Sequence, residues 1–331
     1  MRVFLSGGTG FFGKALLRLW ASPEYAALKP ARAYIISRDP SRFLRQCPEF
    51  EAFTWIEWLT ADLATLDASG VVELAARLDD VTHVLHAATD STNGPALGYQ
   101  TQFDQILQGT RTMLALARRL GKPRFLITSS GGVYGDAPAG MTHISEDYLG
   151  LPDPLEAKNA YSLAKRASEH LCALASHEHG LPTIVCRPFA FSGPDLPLDV
   201  HFAIGNFVRD ALFAETITVN GDGSPMRSYL DQEDLAEWLL RLLIDGEPGQ
   251  AYNIGSDVAI SIYDLAHLVR DLIAPGKPVE VRAQYDGVTP RKFYVPDTRK
   301  IRSALGLRQR ISLEESILRM ERENRTKPPS E

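Results

Sequence analysis

The sequence predicts an α/β fold, in which a doubly wound parallel sheet lies between helices and a smaller mixed α/β domain covers its carboxyl edge. Two observations lead to this fold class. Short apolar runs alternate with longer segments of helical spacing from residue 3 to residue 186, which is typical of parallel strands joined by crossover helices. Beyond Arg187, glycine and proline become frequent, which indicates loops around shorter helices.

Each predicted element rests on a local pattern. Short apolar runs bounded by turn-forming residues predict strands at 3–5, 33–36, 53–59, 82–85, 124–127 and 183–186. Apolar residues at helical spacing predict helices at 14–20, 105–120, 159–175, 233–244 and 261–273. We therefore expect a first domain from 1–186 with a returning segment near 228–255, a second domain from 187–227 and 256–323, and a frayed tail at 324–331.

The composition argues against two classes of partner. A net charge of -6 over 331 residues, without a concentration of basic residues, is unlike nucleic-acid-binding proteins, whose positive charge gathers on one face. No apolar run approaches the roughly 20 residues of a membrane helix, and glycines interrupt the first residues too early for a signal peptide. We expect a cytoplasmic protein with no membrane partner. Cys47, Cys172 and Cys186 are scattered, so they are interpreted as packing residues and no metal site is expected.

A glycine-rich turn joins the first predicted strand to the first predicted helix. Its glycines fit the dinucleotide-binding fingerprint as Gly8, Gly10 and Gly13, and a looser spacing from Gly7. Such glycines permit a tight bend, let backbone N–H groups approach a pyrophosphate, and let the helix pack closely on the strand. The residues predicted to bind the cofactor here are Gly7, Gly8, Thr9, Gly10, Phe11, Phe12 and Gly13. The alternative is a glycine-rich turn without a ligand.

The end of the second predicted strand bears on the choice between NAD and NADP. Ser37 and Arg38 stand at its tip and Arg42 follows, and arginine suits a 2'-phosphate because it offers charge-assisted hydrogen bonds. These three residues favour NADP. NAD is the alternative if the strand extends to Asp39, whose carboxylate would then accept hydrogen bonds from the adenosine ribose. A separate alternative for Arg38 is that of a solvated loop residue.

Asp62 and Leu63 follow the third predicted strand. At that position they are predicted to reach the adenine side of the cofactor. A helix cap is the alternative role for Asp62.

Tyr161 and Lys165 lie four residues apart in a predicted helix, so their side chains share one face. An ordinary tyrosine has a pKa near ~10, and a neighbouring cation lowers that pKa by roughly 1 to 3 units because it favours the phenolate. The pair can therefore transfer protons. The alternative is a half-buried ring beside a solvated lysine.

These motifs together resemble the extended short-chain dehydrogenase/reductase family, in its nucleotide-sugar epimerase, dehydratase and reductase branch. The resemblance includes the glycine turn, Ser130 three residues before Val133-Tyr134-Gly135, and the Tyr161 and Lys165 pair. It extends to later segments at 187–194, 221–227, 252–255 and 297–300. It therefore covers nearly the whole chain and implies the Rossmann form of the doubly wound sheet.

The resemblance also implies roles for the central residues. Tyr161 would be the catalytic acid or base, Lys165 would lower its pKa and hold the nicotinamide ribose, and Ser130 would hydrogen-bond the reacting sugar oxygen. His86, Ala87 and Ala88 match a family pattern that lines the cofactor cleft. For His86, a packed core histidine is the alternative to a catalytic one.

The same resemblance implies a nucleotide-sugar substrate and a homodimer. Arg227 and Arg291 would bind the diphosphate, or instead form surface ion pairs, and Asn206 lies where family members contact the nucleotide. Apolar stripes on the helices at 105–120 and 159–175 would form a four-helix dimer interface, although burial against their own sheet explains part of this pattern.

Three departures from the family pattern narrow the chemistry. Family dehydratases place an Asp-Glu pair after the serine or threonine, whereas this chain has Gly131 and Gly132, which argues against 4,6-dehydration. Ala190 and Ile106 stand where asparagine is common. We therefore expect a 4-epimerase or a 4-ketoreductase. A dehydratase-like enzyme with altered chemistry and a non-catalytic cofactor-binding protein are the alternatives.

Overall fold

The computed structural model describes residues 1–89, 97–289 and 291–326, which form two compact units. Unit 1 comprises Met1–Val133, Pro152–Arg187 and Ala236–Tyr252, and unit 2 comprises Tyr134–Leu151, Pro188–Leu235 and the chain from Asn253 onward. One break between the units lies at Arg187, where the composition of the sequence changes. The predicted tail includes residues 327–331, which lie outside the described residues.

The secondary structure alternates between strands and helices. The strands are β1 (Arg2–Ser6), β2 (Arg32–Ser37), β3 (Ile56–Thr60), β4 (His83–His86), β5 (Arg124–Thr128), β6 (Thr183–Pro188), β7 (Phe191–Ser192), β8 (Ile217–Val219), β9 (Met226–Arg227), β10 (Leu230–Asp231), β11 (Ala251–Ile254), β12 (Ile260–Ser261), β13 (Val279–Val281) and β14 (Phe293–Tyr294). The helices are α1 (Phe11–Ala21), α2 (Pro40–Gln46), α3 (Ala68–Ala76), α4 (Tyr99–Arg119), α5 (Ala160–His179), α6 (Ala203–Phe213), α7 (Gln232–Asp245), α8 (Ile262–Ile273), α9 (Arg299–Leu305) and α10 (Leu313–Asn324). Short 3-10 helices lie at Pro23–Leu28, Pro48–Ala52, Gly131–Tyr134 and Ala157–Asn159.

The central sheet has seven strands in the order β11-β6-β5-β4-β1-β2-β3. Within this order, each pair of adjacent strands in the run β6-β5-β4-β1-β2-β3 is parallel. β11 runs in the same direction, because Val185 N–H donates to Gln250 O and Phe189 N–H donates to Ile254 O. The chain passes from β1 outward to β3 and then returns to β4 on the other side of β1. The predicted doubly wound parallel sheet is confirmed, and its strand order reverses between β1 and β4, where ligands bind in such sheets.

Burial explains why these strands form. Nearly every residue of β1, β2, β4 and β5 is buried, as expected where helices cover both faces of a parallel sheet. All six predicted strands are present. β3 begins at Ile56 rather than at residue 53, because the Phe53 ring packs against those of Phe50 and Trp55, with centroids 5.6 and 5.5 Å away.

Unit 2 combines small sheets with helices, as expected for a mixed α/β domain. β9 pairs with β12 in an antiparallel and with β14 in a parallel arrangement. Further parallel pairs join β7 to β10 and β8 to β13. Buried apolar residues of α6, α8 and α10, such as Ile204, Leu265 and Ile317, supply its core.

Candidate active site

The turn between β1 and α1 has the close backbone packing that its glycines predict. Gly7 has a φ of 81°, which favours glycine. A Cβ at Gly7 would lie 2.6 Å from the Ala87 carbonyl carbon and 2.7 Å from the Ala88 nitrogen. The residues after β4 therefore contact the glycine turn directly, and this approach requires glycine at residue 7.

The amino end of α1 fits a dinucleotide pyrophosphate. Gly10 is the N-cap residue, and no side chain within the described residues caps this helix. A Cβ at Gly10 would meet only Gly7 O, at 3.5 Å, so the space beside Gly10 is open. Helix amino ends with such access attract phosphate through backbone N–H groups and the helix dipole. Thr9, Phe11 and Phe12 are partly exposed around this turn.

The tip of β2 carries the residues on which the choice between NAD and NADP was predicted to depend. β2 ends at Ser37, and Asp39 is the N-cap of α2, where its carboxylate accepts the Arg42 N–H at 2.8 Å. Ser37 Oγ accepts the Asp39 N–H at 3.4 Å. Arg38 and Arg42 are exposed. Asp39 is therefore occupied in capping α2 and does not extend the strand.

Asp62 and Leu63 follow β3 as predicted. Asp62 Oδ1 accepts the Ala64 N–H at 2.9 Å, so this carboxylate stabilises the turn after the strand. Leu63 is 9% exposed, and its side chain packs in the core of unit 1.

His86 lies in the core at the end of β4 and is 5% exposed. Its Nδ1 lies 2.7 Å from Ser6 Oγ and its Nε2 lies 3.3 Å from Thr110 Oγ1, which in turn lies 3.0 Å from Ser168 Oγ. Burial, together with a smaller effect of the Lys165 charge, lowers the pKa of His86 to about 3. His86 is thus a neutral, packed histidine that links β1 to α4. The Thr110 hydroxyl donates to the carbonyl oxygen of Ile106 at 2.9 Å.

Lys165 and Tyr161 share one face of α5. The Lys165 Nζ lies 5.9 Å from the centroid of the Tyr161 ring, and Lys165 is 4% exposed. The ammonium group donates to Thr128 O at 2.8 Å and to Thr89 Oγ1 at 2.6 Å. Burial lowers the pKa of Lys165 to about 8, against the opposing effects of Cys186 and Glu169. A buried lysine beside a tyrosine can hold a phenolate.

Ser130 lies just beyond the carboxyl end of β5 and is 9% exposed. Its Oγ accepts the Gly132 N–H at 3.0 Å. A Cβ at Gly132 would lie 3.3 Å from Ser130 Oγ and 2.6 Å from the Oγ of Ser162, the residue after Tyr161. Gly132 therefore places backbone without a side chain beside the Ser130 and Ser162 hydroxyls.

The structure brings together residues that sequence reasoning did not connect. Thr89 binds Lys165, and Glu169 binds both Ser129 Oγ and Arg187. In the sequence, only the position of Thr89 directly after Ala88 could have indicated its contact with Lys165. The spacing of Glu169, one turn after Lys165, could have indicated its proximity.

Unit 2 places the predicted arginines around Met226. Arg227 Nη1 donates to Met226 O at 2.9 Å, and Arg291 Nη1 lies 3.8 Å from Met226 Sδ. The Arg227 guanidinium lies over the Tyr294 ring and that of Arg291 over the Tyr285 ring, 5.5 and 5.6 Å from the centroids. The sequence separates these arginines widely, and the pairing of β9 with β14 brings their segments together.

Asn206 lies on α6 of unit 2. Its Oδ1 accepts from Arg209 Nη1 at 3.3 Å. Within the ranges that the structure covers, no group of His, Cys, Asp or Glu is arranged to hold a metal ion. None of the helices seen in those ranges combines the length and the apolar character needed to cross a membrane.

Comparison with known proteins adds independent evidence. Residues 3–255 match the model of the NAD dependent epimerase/dehydratase family. UDP-glucuronic acid decarboxylase 5 of Arabidopsis thaliana is 28% identical over 328 residues, which cover 98% of this chain and 89% of that protein.

Solved structures share the fold. The dTDP-glucose 4,6-dehydratase DesIV of Streptomyces venezuelae, with NAD bound, is 24% identical at a TM-score of 0.82 and covers 99% of this chain and 98% of its own. RMD of Pseudomonas aeruginosa, complexed with NADPH, is 25% identical at a TM-score of 0.76, and the match covers 98% of this chain and 99% of RMD.

Proposed function

Because this chain belongs to the NAD dependent epimerase/dehydratase family, we propose that it is an NAD(P)-dependent enzyme of the short-chain dehydrogenase/reductase type that acts on a nucleotide-activated sugar. The reacting group would be a carbinol or ketone, at C4 of the sugar. The observation that carries this proposal is the buried Lys165 ammonium beside the Tyr161 ring on one face of α5.

Tyr161 moves the proton in this proposal. To lower a phenol pKa from ~10 to ~7 requires about 4 kcal/mol of differential stabilisation, and a cation in a buried setting contributes much more of this than an exposed one. Lys165 is held for this task by Thr128 O and Thr89 Oγ1. Ser130 orients the sugar oxygen. The nicotinamide cofactor, when bound, supplies the hydride chemistry.

We infer that the preferred cofactor is NADP. Arg38 follows the last residue of β2, where a guanidinium can bind a 2'-phosphate. Asp39 caps α2, so its carboxylate is engaged with the Arg42 N–H and not with a ribose. RMD is complexed with NADPH and DesIV has NAD bound, so the support for NADP comes from the residues at the tip of β2.

The diphosphate of the substrate would be bound in unit 2. Arg227 and Arg291 both contact Met226, so two cations gather where phosphate oxygens could accept from them. Asn206 would contact the nucleotide. A homodimer through α4 and α5 is part of the same proposal.

A 4-epimerase and a 4-ketoreductase both agree with this site. Elimination of water needs one group to remove the proton from C5 and another to protonate the leaving hydroxyl. Neither Gly131 nor Gly132 can supply such a group. The proton managed by Tyr161 is sufficient for oxidation or reduction at C4.

Decarboxylation of a nucleotide-activated uronic acid is a second candidate, favoured by the likeness to UDP-glucuronic acid decarboxylase 5. Once C4 of a uronic acid is a ketone, the C5–C6 bond can break with loss of carbon dioxide, and its electron pair moves into a C4 enolate. Protonation at C5 and reduction at C4 complete the reaction. Because no proton is removed from C5, this route also does not require a carboxylate at residue 131 or 132.

A substrate panel distinguishes these activities. Purified protein is mixed with NAD or NADP and with UDP-, dTDP-, GDP- and CDP-sugars, including UDP-glucuronic acid. A rearranged sugar without net change in cofactor absorbance indicates an epimerase, NADPH loss with a 4-keto sugar indicates a reductase, and carbon dioxide release indicates a decarboxylase. Cofactor binding without any product would contradict the enzymatic proposal.

Tyr161→Phe provides the matched control for the panel. The substitution removes the phenolic hydroxyl and keeps the ring, so we expect turnover to be abolished while cofactor binding is retained. Retention of most of the activity would contradict the role of Tyr161.

A further inference from the structure

The Glu169 carboxylate gathers three donors from two other elements at the candidate active site. Ser129 Oγ donates to Glu169 Oε1 at 2.5 Å, Arg187 Nε donates to Oε1 at 2.9 Å, and Arg187 Nη2 donates to Oε2 at 2.7 Å. The Glu169 and Arg187 side chains are 10% and 11% exposed. Such a bidentate, nearly buried pair has a fixed geometry, and removal of one partner leaves a buried charge.

This pair fixes the backbone that carries Ser130. Ser129 immediately precedes Ser130, and its N–H donates to Cys186 O at 2.6 Å. Its hydroxyl is bound to Glu169. Ser129 is therefore held by β6 through its main chain and by α5 through its side chain, which limits the orientations open to Ser130.

Glu169 also lies one helical turn after Lys165, on the same face of α5. Its negative charge raises the pKa of Lys165 and so opposes the lowering caused by burial. The groups that face Lys165 from other elements are His86 of β4, Cys186 of β6, Thr89 and the Thr128 carbonyl. Burial keeps His86 neutral, and it raises the pKa of the Cys186 thiol so that this group is neutral as well. Among these groups of the described residues, Glu169 therefore supplies the negative charge near Lys165, and it shares that charge with the Arg187 guanidinium.

We propose that Glu169 is a positioning residue of the active site, which orients Ser130 through Ser129 and keeps Lys165 in its ammonium form. This inference rests on the proposed function for its kinetic consequences. Its electrostatic part concerns the chain itself and can be tested without turnover.

The test compares Glu169→Gln, which removes the charge but keeps an oxygen for Ser129, with Ser129→Ala, which removes the hydroxyl but keeps the charge. For Glu169→Gln we expect the alkaline limb of the pH profile, where kcat/KM falls as the pH rises, to move to lower pH by about one unit. The reason is that a lysine that loses a nearby anion deprotonates more easily. For Ser129→Ala we expect a lower kcat and an unshifted limb. Glu178→Gln, an exposed residue of the same helix, is the matched control and should leave the profile unchanged.

In Glu169→Gln the Arg187 guanidinium loses the Glu169 carboxylate, and this loss could prevent folding. The double variant Glu169→Gln/Arg187→Gln is therefore measured in parallel. It removes the pair without leaving one buried charge. We expect it to fold and to keep part of the shift in the alkaline limb. A limb at the wild-type pH in both the single and the double variant would overturn the proposal.

A direct titration separates this inference from the proposed function. Lysine labelled with ¹³C at Cε is followed by NMR against pH, and Lys165→Met assigns the signal. We expect Lys165 to titrate at lower pH in Glu169→Gln than in the wild type. Equal titration in the two proteins would refute the role of Glu169 even if the enzyme is active. A shifted titration in a protein that turns over no nucleotide sugar would support the role and count against the function.

Discussion

At the scale of single residues, the role proposed for Arg38 is to bind the 2'-phosphate of NADP. It follows directly after β2, and NADP differs from NAD by the 2'-phosphate alone. We expect Arg38→Ala to weaken NADP binding by about 10- to 100-fold, the equivalent of a charge-assisted hydrogen bond, and to change NAD binding little. Calorimetric titration of both cofactors measures the two affinities.

Arg45→Ala is the control for this substitution. Arg45 is also exposed and lies in the last turn of α2, so it tests whether any positive charge near this helix affects the affinity. Equal losses for NAD and NADP in Arg38→Ala, or an unchanged affinity for both, would contradict a role in binding the 2'-phosphate.

Single residues also show how far sequence reasoning reaches. The placement of Lys165 beside Tyr161 follows from helix periodicity and could be predicted. Its contacts with Thr89 Oγ1 and Thr128 O could not, because they join chain segments that only the assembled sheet brings together. For the same reason Glu169 was missed, since two of its three hydrogen bonds come from Arg187 after another crossover.

At the scale of elements, the glycine turn has two separate requirements. Gly13 is needed for close backbone packing, and Gly10 is proposed to leave room for the pyrophosphate. A Cβ at Gly13 would meet the backbone of Gly7 and Gly8, whereas a Cβ at Gly10 has open space on the protein side. We expect Gly13→Ala to lower the free energy of unfolding by about 1 to 3 kcal/mol through overpacking. Gly10→Ala should lower the free energy of unfolding by less, about 0.5 to 1 kcal/mol, because alanine is a poorer N-cap residue than glycine. It should weaken cofactor binding by about tenfold or more, because its methyl group would stand where backbone must approach the pyrophosphate.

Urea unfolding and cofactor titration of the two variants measure these effects. The substitutions are chemically identical and lie three positions apart, so each serves as the control for the other. Equal loss of stability in both would mean that packing alone requires these glycines, and the turn would then lack evidence for a bound pyrophosphate.

The strands could be predicted because strands buried on both faces of the sheet appear in the sequence as apolar runs. The residues at which elements begin and end could be predicted less well. The aromatic side chains from Phe50 to Trp55 look like the start of a strand, yet they pack on one another before β3 begins. In unit 2, strands such as β9 and β14 have two residues each, too few for periodicity to predict.

At the scale of the whole molecule, the resemblance to the family predicts a dimer through α4 and α5. Leu174 on α5 is 38% exposed. We expect the wild type to sediment as a dimer and Leu174→Glu to raise its dissociation constant at least about tenfold, since a carboxylate would be buried in an apolar interface. Leu318→Glu on α10, with Leu318 37% exposed, is the matched control. A monomeric wild type, or equal effects of both substitutions, would contradict the four-helix interface.

The neutral His86 predicts how stability depends on pH. Its folded-state pKa is about 3, against an ordinary value of 6.5, so below pH 6.5 the unfolded chain binds a proton that the folded protein excludes. Stability must therefore fall as the pH decreases from 6.5 towards 3, by about 3 to 5 kcal/mol in total from this residue. His83, whose pKa burial lowers to about 4, contributes in the same direction.

His86→Asn retains hydrogen-bonding groups for Ser6 and Thr110 but cannot be protonated. We expect urea unfolding between pH 7 and pH 4.5 to show a clearly smaller loss of stability in this variant. Because both proteins share every carboxylate, the difference between their slopes isolates His86, and equal slopes would show that this histidine is not kept neutral by the fold.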